Sequence, residues 1–319
     1  MDRTRALVES SLLVALSAVL FLAGHFLPLV GMVFSLVCPA PLVVLGLRHS
    51  LGRAVLGVVA ATIISAAFTG VVGALFFCFG FGFLGIALGA LGRRFDRAVD
   101  IILYGILVSL GSKLLLMVIA IKLTGINPFG LEEAEILPMI ERISSVYSSL
   151  GMSKESLSTA REQMRATLSL IPLIFPALLV MAATVDCFLS YIVSAAVLKR
   201  LGRETLPRLP EFSLWRFPKS IFWALVASLA LQLAGTYQPS MAFLQKTALN
   251  LRLLVTTLFF FQGLAVGWFF MGSRGLGRFL KVALTLVVMV VPFFAQLVLI
   301  LGIIDVWFDL RSRFRGGRE

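Results

Sequence analysis

The chain has 319 residues, of which 59% are hydrophobic and only 14% charged, against about 45–50% apolar and about 25% charged in a soluble domain. One soluble core cannot bury that much apolar surface, and apolar runs of roughly 20 residues, the length of a bilayer crossing, recur from Ala6 almost to the C-terminus. The formal charge of +12 lies in short Arg and Lys clusters between those runs rather than along one face, which marks cytoplasmic loops of a membrane protein and not a nucleic-acid surface.

The basic start, Met1 to Arg5, precedes an apolar run too long for a signal-peptide core and without a small-residue cleavage site. A retained first span over 6–26 is expected, with the N-terminus in the cytoplasm of a multi-pass protein of the cytoplasmic (inner) membrane. A second span, 27–47, follows a tight outside turn around Pro28 and Gly31, and Arg48, His49 and Arg53 return the chain to the inside. The uncharged run 54–91 is about 38 residues, nearly twice a bilayer core at 1.5 Å per residue, so it must fold back on itself, with the break near Gly70.

Span five, 99–121, leads into a polar insertion, 123–165, whose acidic residues Glu132, Glu133, Glu135, Glu141, Glu155 and Glu162 suit the outside. Ile136, Ile140, Ile143, Tyr147 and Leu150 recur at helical spacing, which predicts an amphipathic helix, either a packed spacer or a lid. Span six, 167–198, carries Pro172 and Pro176 and ends in Lys199, Arg200 and Arg203. The inside loop 199–219 precedes span seven, 220–236, an outside turn near Gln238 and Pro239, and span eight, 249–271, closed by Arg274, Arg278 and Lys281. The last run, 282–304, is long enough for a ninth crossing, yet Arg311, Arg313, Arg315 and Arg318 belong inside, which suggests re-entry around Pro292. The expected fold is an all-α polytopic transmembrane bundle of eight or nine spans, organised as 1–122, 123–165 and 166–319.

An ionisable group in mid-bilayer costs at least roughly 2.5–3.5 kcal/mol and demands a partner or a purpose. Lys113 on span five and Asp186 on span six sit at depths matched within about one helical turn, which predicts an interhelical ion pair. Gln232, Gln262 and Gln296, one on each of the last three spans, fall near one level, either a polar layer around a cavity or interhelical hydrogen bonding. Glu9 and His25 lie close enough to the interfaces to stay hydrated. Ser10, Ser11, Ala15 and Ala18 put small groups on one side of span one, open to a neighbouring helix. Cys38, Cys78 and Cys187 lie within apolar runs and imply no disulfide framework. Two histidines, no metal-ligand spacing and no nucleophile or zinc motif leave nothing that points to an enzyme, a metal or a cofactor.

Pro210 and Phe212, then Trp215 and Pro218, form a Leu-Pro-x-Phe...Trp-x-x-Pro element. Together with Gln262-Gly263-Leu264-Ala265 and the stretch from Leu301 to Arg311 it resembles the YybS-like membrane proteins, a family of unknown function. The N-terminal part is more distantly similar to the substrate-binding S components of energy-coupling factor transporters, in which a small-residue face like Ser11 and Ala15 meets the coupling subunit. The resemblance implies a small-solute binding or transport subunit working with coupling or ATPase subunits. The alternative is a membrane scaffold that docks envelope-assembly proteins through Ser11, Ala15, Pro210, Phe212, Trp215 and Pro218.

Overall fold

The computed structural model describes residues 3–27, 30–125, 133–149, 153–201, 206–238 and 241–316, and its regular elements are all helices. Pro28, Glu132, Leu150, Arg203, Pro239 and Arg318 lie outside the described residues, as do the side chains of Glu133, Glu135, Ile136 and Arg315. Along the chain run α1 (Arg3–Phe26), α2 (Gly31–Val37), α3 (Pro39–Arg48), α4 (Leu51–Phe77), a π-turn (Cys78–Gly82), α5 (Phe83–Arg94) and α6 (Ala98–Thr124). After them come α7 (Glu133–Ser149), α8 (Lys154–Leu201), a 3-10 turn (Phe212–Leu214), α9 (Ser220–Tyr237), α10 (Ala242–Ser273), α11 (Arg278–Val290), α12 (Pro292–Phe308) and α13 (Leu310–Gly316).

Six helices are long and apolar enough to cross a membrane, or seven if the bent pair α11–α12 counts as one span. The expectation of eight or nine differs for two physical reasons. Residues Leu51–Arg94 form one 44-residue apolar helix, but Gly70 inside it has φ 71° and ψ −177°, a conformation open to glycine and costly for a side chain. The chain reverses there: a Cβ on Gly82 would lie 2.5 Å from Val58 Cγ1, whereas a straight helix would hold those residues about 36 Å apart. The expected break near Gly70 thus makes two antiparallel arms of one continuous element. The other difference is Val33–Arg48, an apolar helix shorter than a full crossing.

The described contacts divide the chain into two units, Met1–Asn127 with Leu178–Leu209, and Pro128–Ala177 with Pro210–Glu319. In the first, Val14, Ala18 and Phe21 of α1 pack on Leu42 and Leu45 of α3 and on Ala54, Val58 and Ala61 of α4. A second cluster joins Leu84 and Leu88 of α5 and Ile101 of α6 to Cys187, Tyr191 and Leu198 of α8. In the second unit α7 buries Ile140, while Ile143 and Tyr147 form an open groove with Ala160, Gln163 and Met164 of α8, so the amphipathic face lies along a neighbouring helix.

Pro176 and Pro172 interrupt the backbone ladder of α8, because proline has no N–H and its ring crowds the preceding turn. Asn250 of α10 repairs the gap. Its Oδ1 accepts from the Ala177 N–H at 2.7 Å and its Nδ2 donates to the Leu173 carbonyl at 2.7 Å, the two groups an unbroken helix would join to one another. Helices α10 and α12 cross at van der Waals backbone contact: a Cβ on Gly263 would come 1.8 Å from the Val298 carbonyl oxygen, and one on Gly302 1.9 Å from that of Phe259. Between α11 and α12 the axis turns by 106°, at the Val291-Pro292 step where a helix cannot continue undisturbed.

Candidate functional site

In the first unit, α6 and α8 approach closely where Gly105 faces Cys187 Sγ, and three polar side chains meet further along the same contact. Lys113 Nζ donates to Asp186 Oδ2 at 2.6 Å and to Ser109 Oγ at 2.9 Å, and Ser109 Oγ donates to the same carboxylate oxygen at 3.4 Å. Lys113 lies about 15 residues, roughly 22 Å, from the Ala98 end of α6, and Asp186 the same distance from the Leu201 end of α8. The matched depth read from the sequence therefore does bring the two charges together. The pair is not sealed: the lysine side chain is 19% and the aspartate 26% exposed. Beside it Ser112 donates to the Phe79 carbonyl in the π-turn. Wide turns of this kind loosen the helical ladder and recur at functional sites.

A second ionic cluster, which sequence reasoning passed over as a hydrated end, ties α1 to the end of α3. Arg48 donates to Glu9, His49 Nε2 lies 3.8 Å from the same carboxylate, and Arg93 donates to the His49 carbonyl at 2.9 Å.

The second unit holds a network of another character. The Arg311 guanidinium donates to Asp305 Oδ2 at 2.8 Å and to the carbonyls of Ser213 and Trp215 at 2.8 and 2.9 Å. Asp305 also accepts from Gln262 Nε2 at 2.6 Å and from the Leu310 N–H at 3.1 Å, and Gln262 Oε1 accepts from the Phe217 N–H at 3.0 Å. Arg311 and Asp305 are each only 2% exposed at the side chain. At its rim Arg216 pairs with Asp309 at 2.7 Å. Desolvation, the largest single influence, pushes the Asp309 carboxyl up, but the hydrogen bonds from Ser312 and the Arg216 charge together outweigh it and hold the group below the usual aspartate value.

The three glutamines do not assemble into one layer. Gln262 is consumed by the Asp305 network, Gln232 accepts from Arg252 at 3.0 Å, and Gln296 is exposed on α12. Gln262 and Gln232 turn to different partners, and Gln296 faces away from both, beyond the bend that precedes α12. Pro210 and Pro218 are exposed, whereas Phe212 and Trp215 are half-buried. Trp215 Nε1 donates to the Pro210 carbonyl at 3.1 Å, and Phe212 packs edge-on against Trp215 and Trp268. Ser11 and Ala15 are exposed and line an open groove between α1 and α4. Among the described residues no three His, Cys, Asp or Glu side chains converge as metal ligands would.

Sequence comparison places this geometry in a family. The chain is 26% identical to the uncharacterized protein YybS of Bacillus subtilis (strain 168) over 321 aligned positions, 99% of this chain and 100% of that one. No solved structure matches it. Residues 15–306 match the family described as predicted membrane protein (DUF2232), and with its apolar helices and near-complete coverage the chain belongs to that family of membrane proteins.

Proposed function

We propose that the protein is a small-solute binding subunit of a transport system, seated in the cytoplasmic membrane with its N-terminus in the cytoplasm, and that Lys113, Asp186 and Ser109 contact the solute. The observation that carries this reading is the incomplete burial of the Lys113–Asp186 pair deep within apolar helices. A pair kept only to fasten helices gains most when it is sealed and fully hydrogen-bonded, as Asp305 and Arg311 are. An ammonium and a carboxylate left partly open can exchange each other for the opposite charges of a zwitterionic solute, at a depth where transporters place their sites. A solute-binding subunit of the S-component kind would depend on a coupling ATPase for energy.

The test is a comparison of wild type with Lys113→Met, Asp186→Leu and the double variant, each purified in mild detergent and denatured, with the released small molecules identified by mass spectrometry. Wild type is expected to release a charged solute that all three variants lack, with the double variant, which leaves neither charge orphaned, still accumulating in the membrane. A membrane scaffold for envelope assembly predicts the opposite: the double variant accumulates, releases the same small molecules as wild type and supports growth normally. That result would remove the transport reading.

A further inference from the structure

We infer that the groove between α1 and α4 is a binding site for one anionic phospholipid, with its phosphate on Arg53 and an acyl chain along the helices. The groove has a volume of about 350 Å³ and is lined by Leu7, Val14 and Ala15 of α1 and by Leu56, Ala60 and Ile64 of α4, with Arg53 at one end. The helices touch here, where a Cβ on Gly57 would lie 2.8 Å from Val14 Cγ2; this glycine keeps the floor of the groove open. From Arg53 to Ile64 the α4 wall is about 16 Å long, close to half of a hydrocarbon core of about 30 Å and so one leaflet deep.

The polar chemistry of the groove is confined to that end. Ser10 and Ser11, the other polar lining residues, return their hydroxyls to the carbonyls of Ala6 and Leu7 at 2.7 and 3.0 Å, so the walls beyond Arg53 present hydrocarbon. Arg53 is exposed and has no ion-pair partner among the described residues, unlike Arg48, which holds Glu9. A guanidinium at the mouth of a leaflet-deep apolar groove matches a ligand with an anionic head and an apolar tail, and basic sites between membrane helices take anionic headgroups in this way. A polypeptide helix would answer the charge only with an acidic side chain placed at that one end, whereas an anionic phospholipid carries its charge there by construction.

The experiment is native mass spectrometry of the full chain in detergent, titrated with phosphatidylglycerol and with phosphatidylcholine of the same acyl chains. One phosphatidylglycerol should be retained at least roughly fivefold more tightly than phosphatidylcholine, as expected when about 1 kcal/mol per basic residue is at stake. Arg53→Ala should bring the two lipids level. Ala60→Leu, at an exposed position on the groove wall, should remove the bound lipid without shifting the unfolding temperature. Equal retention of both lipids by wild type would overturn the proposal and leave a polypeptide as the occupant. Unchanged phosphatidylglycerol binding in Arg53→Ala would overturn it equally.

Discussion

Arg311 and Asp305 share a 2.8 Å contact with both side chains nearly inaccessible, so removing either one leaves a buried charge with nothing to answer it. Arg311→Met or Asp305→Leu alone should therefore destabilise the fold by about 3–5 kcal/mol, whereas the double variant should recover most of that loss. Chemical unfolding of the four proteins in detergent measures the coupling, and simple additivity of the two single losses would show that the residues act independently. Nothing in the sequence announced this pair. The two residues are six apart, a spacing that does not share a face on a straight helix; they meet because the helix stops at Asp309, which adopts φ 42° and turns the chain back. Lys113 and Asp186 were legible because a charge deep in an apolar run has so few partners that matched depth identifies the one it finds. Asn250 was half legible: Pro172 and Pro176 show where backbone groups are freed, but not that an amide 77 positions away serves them. Asn250→Leu should cost about 1–3 kcal/mol by leaving the Leu173 carbonyl and the Ala177 N–H unmatched, again read by unfolding, and an unchanged midpoint would mean that water replaces the amide.

At the level of elements, length and hydropathy located the helices, and the turn chemistry of Gly70 located the reversal inside α4, because an uncharged run of that length has no other way to end both arms near Arg residues. Gly70→Ala forces a side chain into a positive-φ, extended conformation that glycine alone adopts freely and should cost about 1–3 kcal/mol and lower the accumulated protein; equal accumulation and stability would show that the reversal tolerates another conformation. What hydropathy alone could not settle was the last apolar run, since length argued for a crossing and the arginines of the tail against it. The contacts within the second unit favour re-entry. Arg311 binds the backbone of Ser213 and Trp215, and Arg216 binds Asp309, so the tail shares a side of the membrane with the segment between α8 and α9. Helices α11 and α12 are about 20 and 25 Å long, each short of a core of about 30 Å, and the 106° bend between them is the geometry a re-entrant pair requires. In a chain lacking its native cysteines, Glu211→Cys and Ser312→Cys, both exposed in the second unit, should be labelled by an impermeant maleimide from the same side; labelling from opposite sides would refute the re-entrant pair. The Arg216–Asp309 tie has a pH dependence of known sign: a carboxyl held below its ordinary value stabilises the fold above the unfolded-state pKa, and that contribution is lost as pH falls through the folded one.

Across the whole molecule, one long helix serves both units. The chain passes from the second to the first at Ala177 and Leu178, inside α8, so the first unit is incomplete until residues far along the sequence have been made. Its α5 and α6 cannot bury Leu84, Leu88 and Ile101 without Cys187, Tyr191 and Leu198, and Lys113 has no counter-charge until Asp186 arrives. An N-terminal fragment ending at Gly125 would present that apolar face to lipid, which is tolerable, and the lysine to lipid as well, which costs at least roughly 2.5–3.5 kcal/mol. Expressed alone, the fragment 1–125 should therefore be degraded, and it should accumulate when 126–319 is produced from a second gene in the same cells. Carrying Lys113→Met, the fragment should persist longer on its own, because the unpaired charge rather than the exposed hydrocarbon is what the membrane penalises. Immunoblots of the membrane fraction measure all three. Equal loss of the 1–125 fragment with and without Lys113→Met would mean that the missing helix packing, and not the orphaned charge, governs its fate.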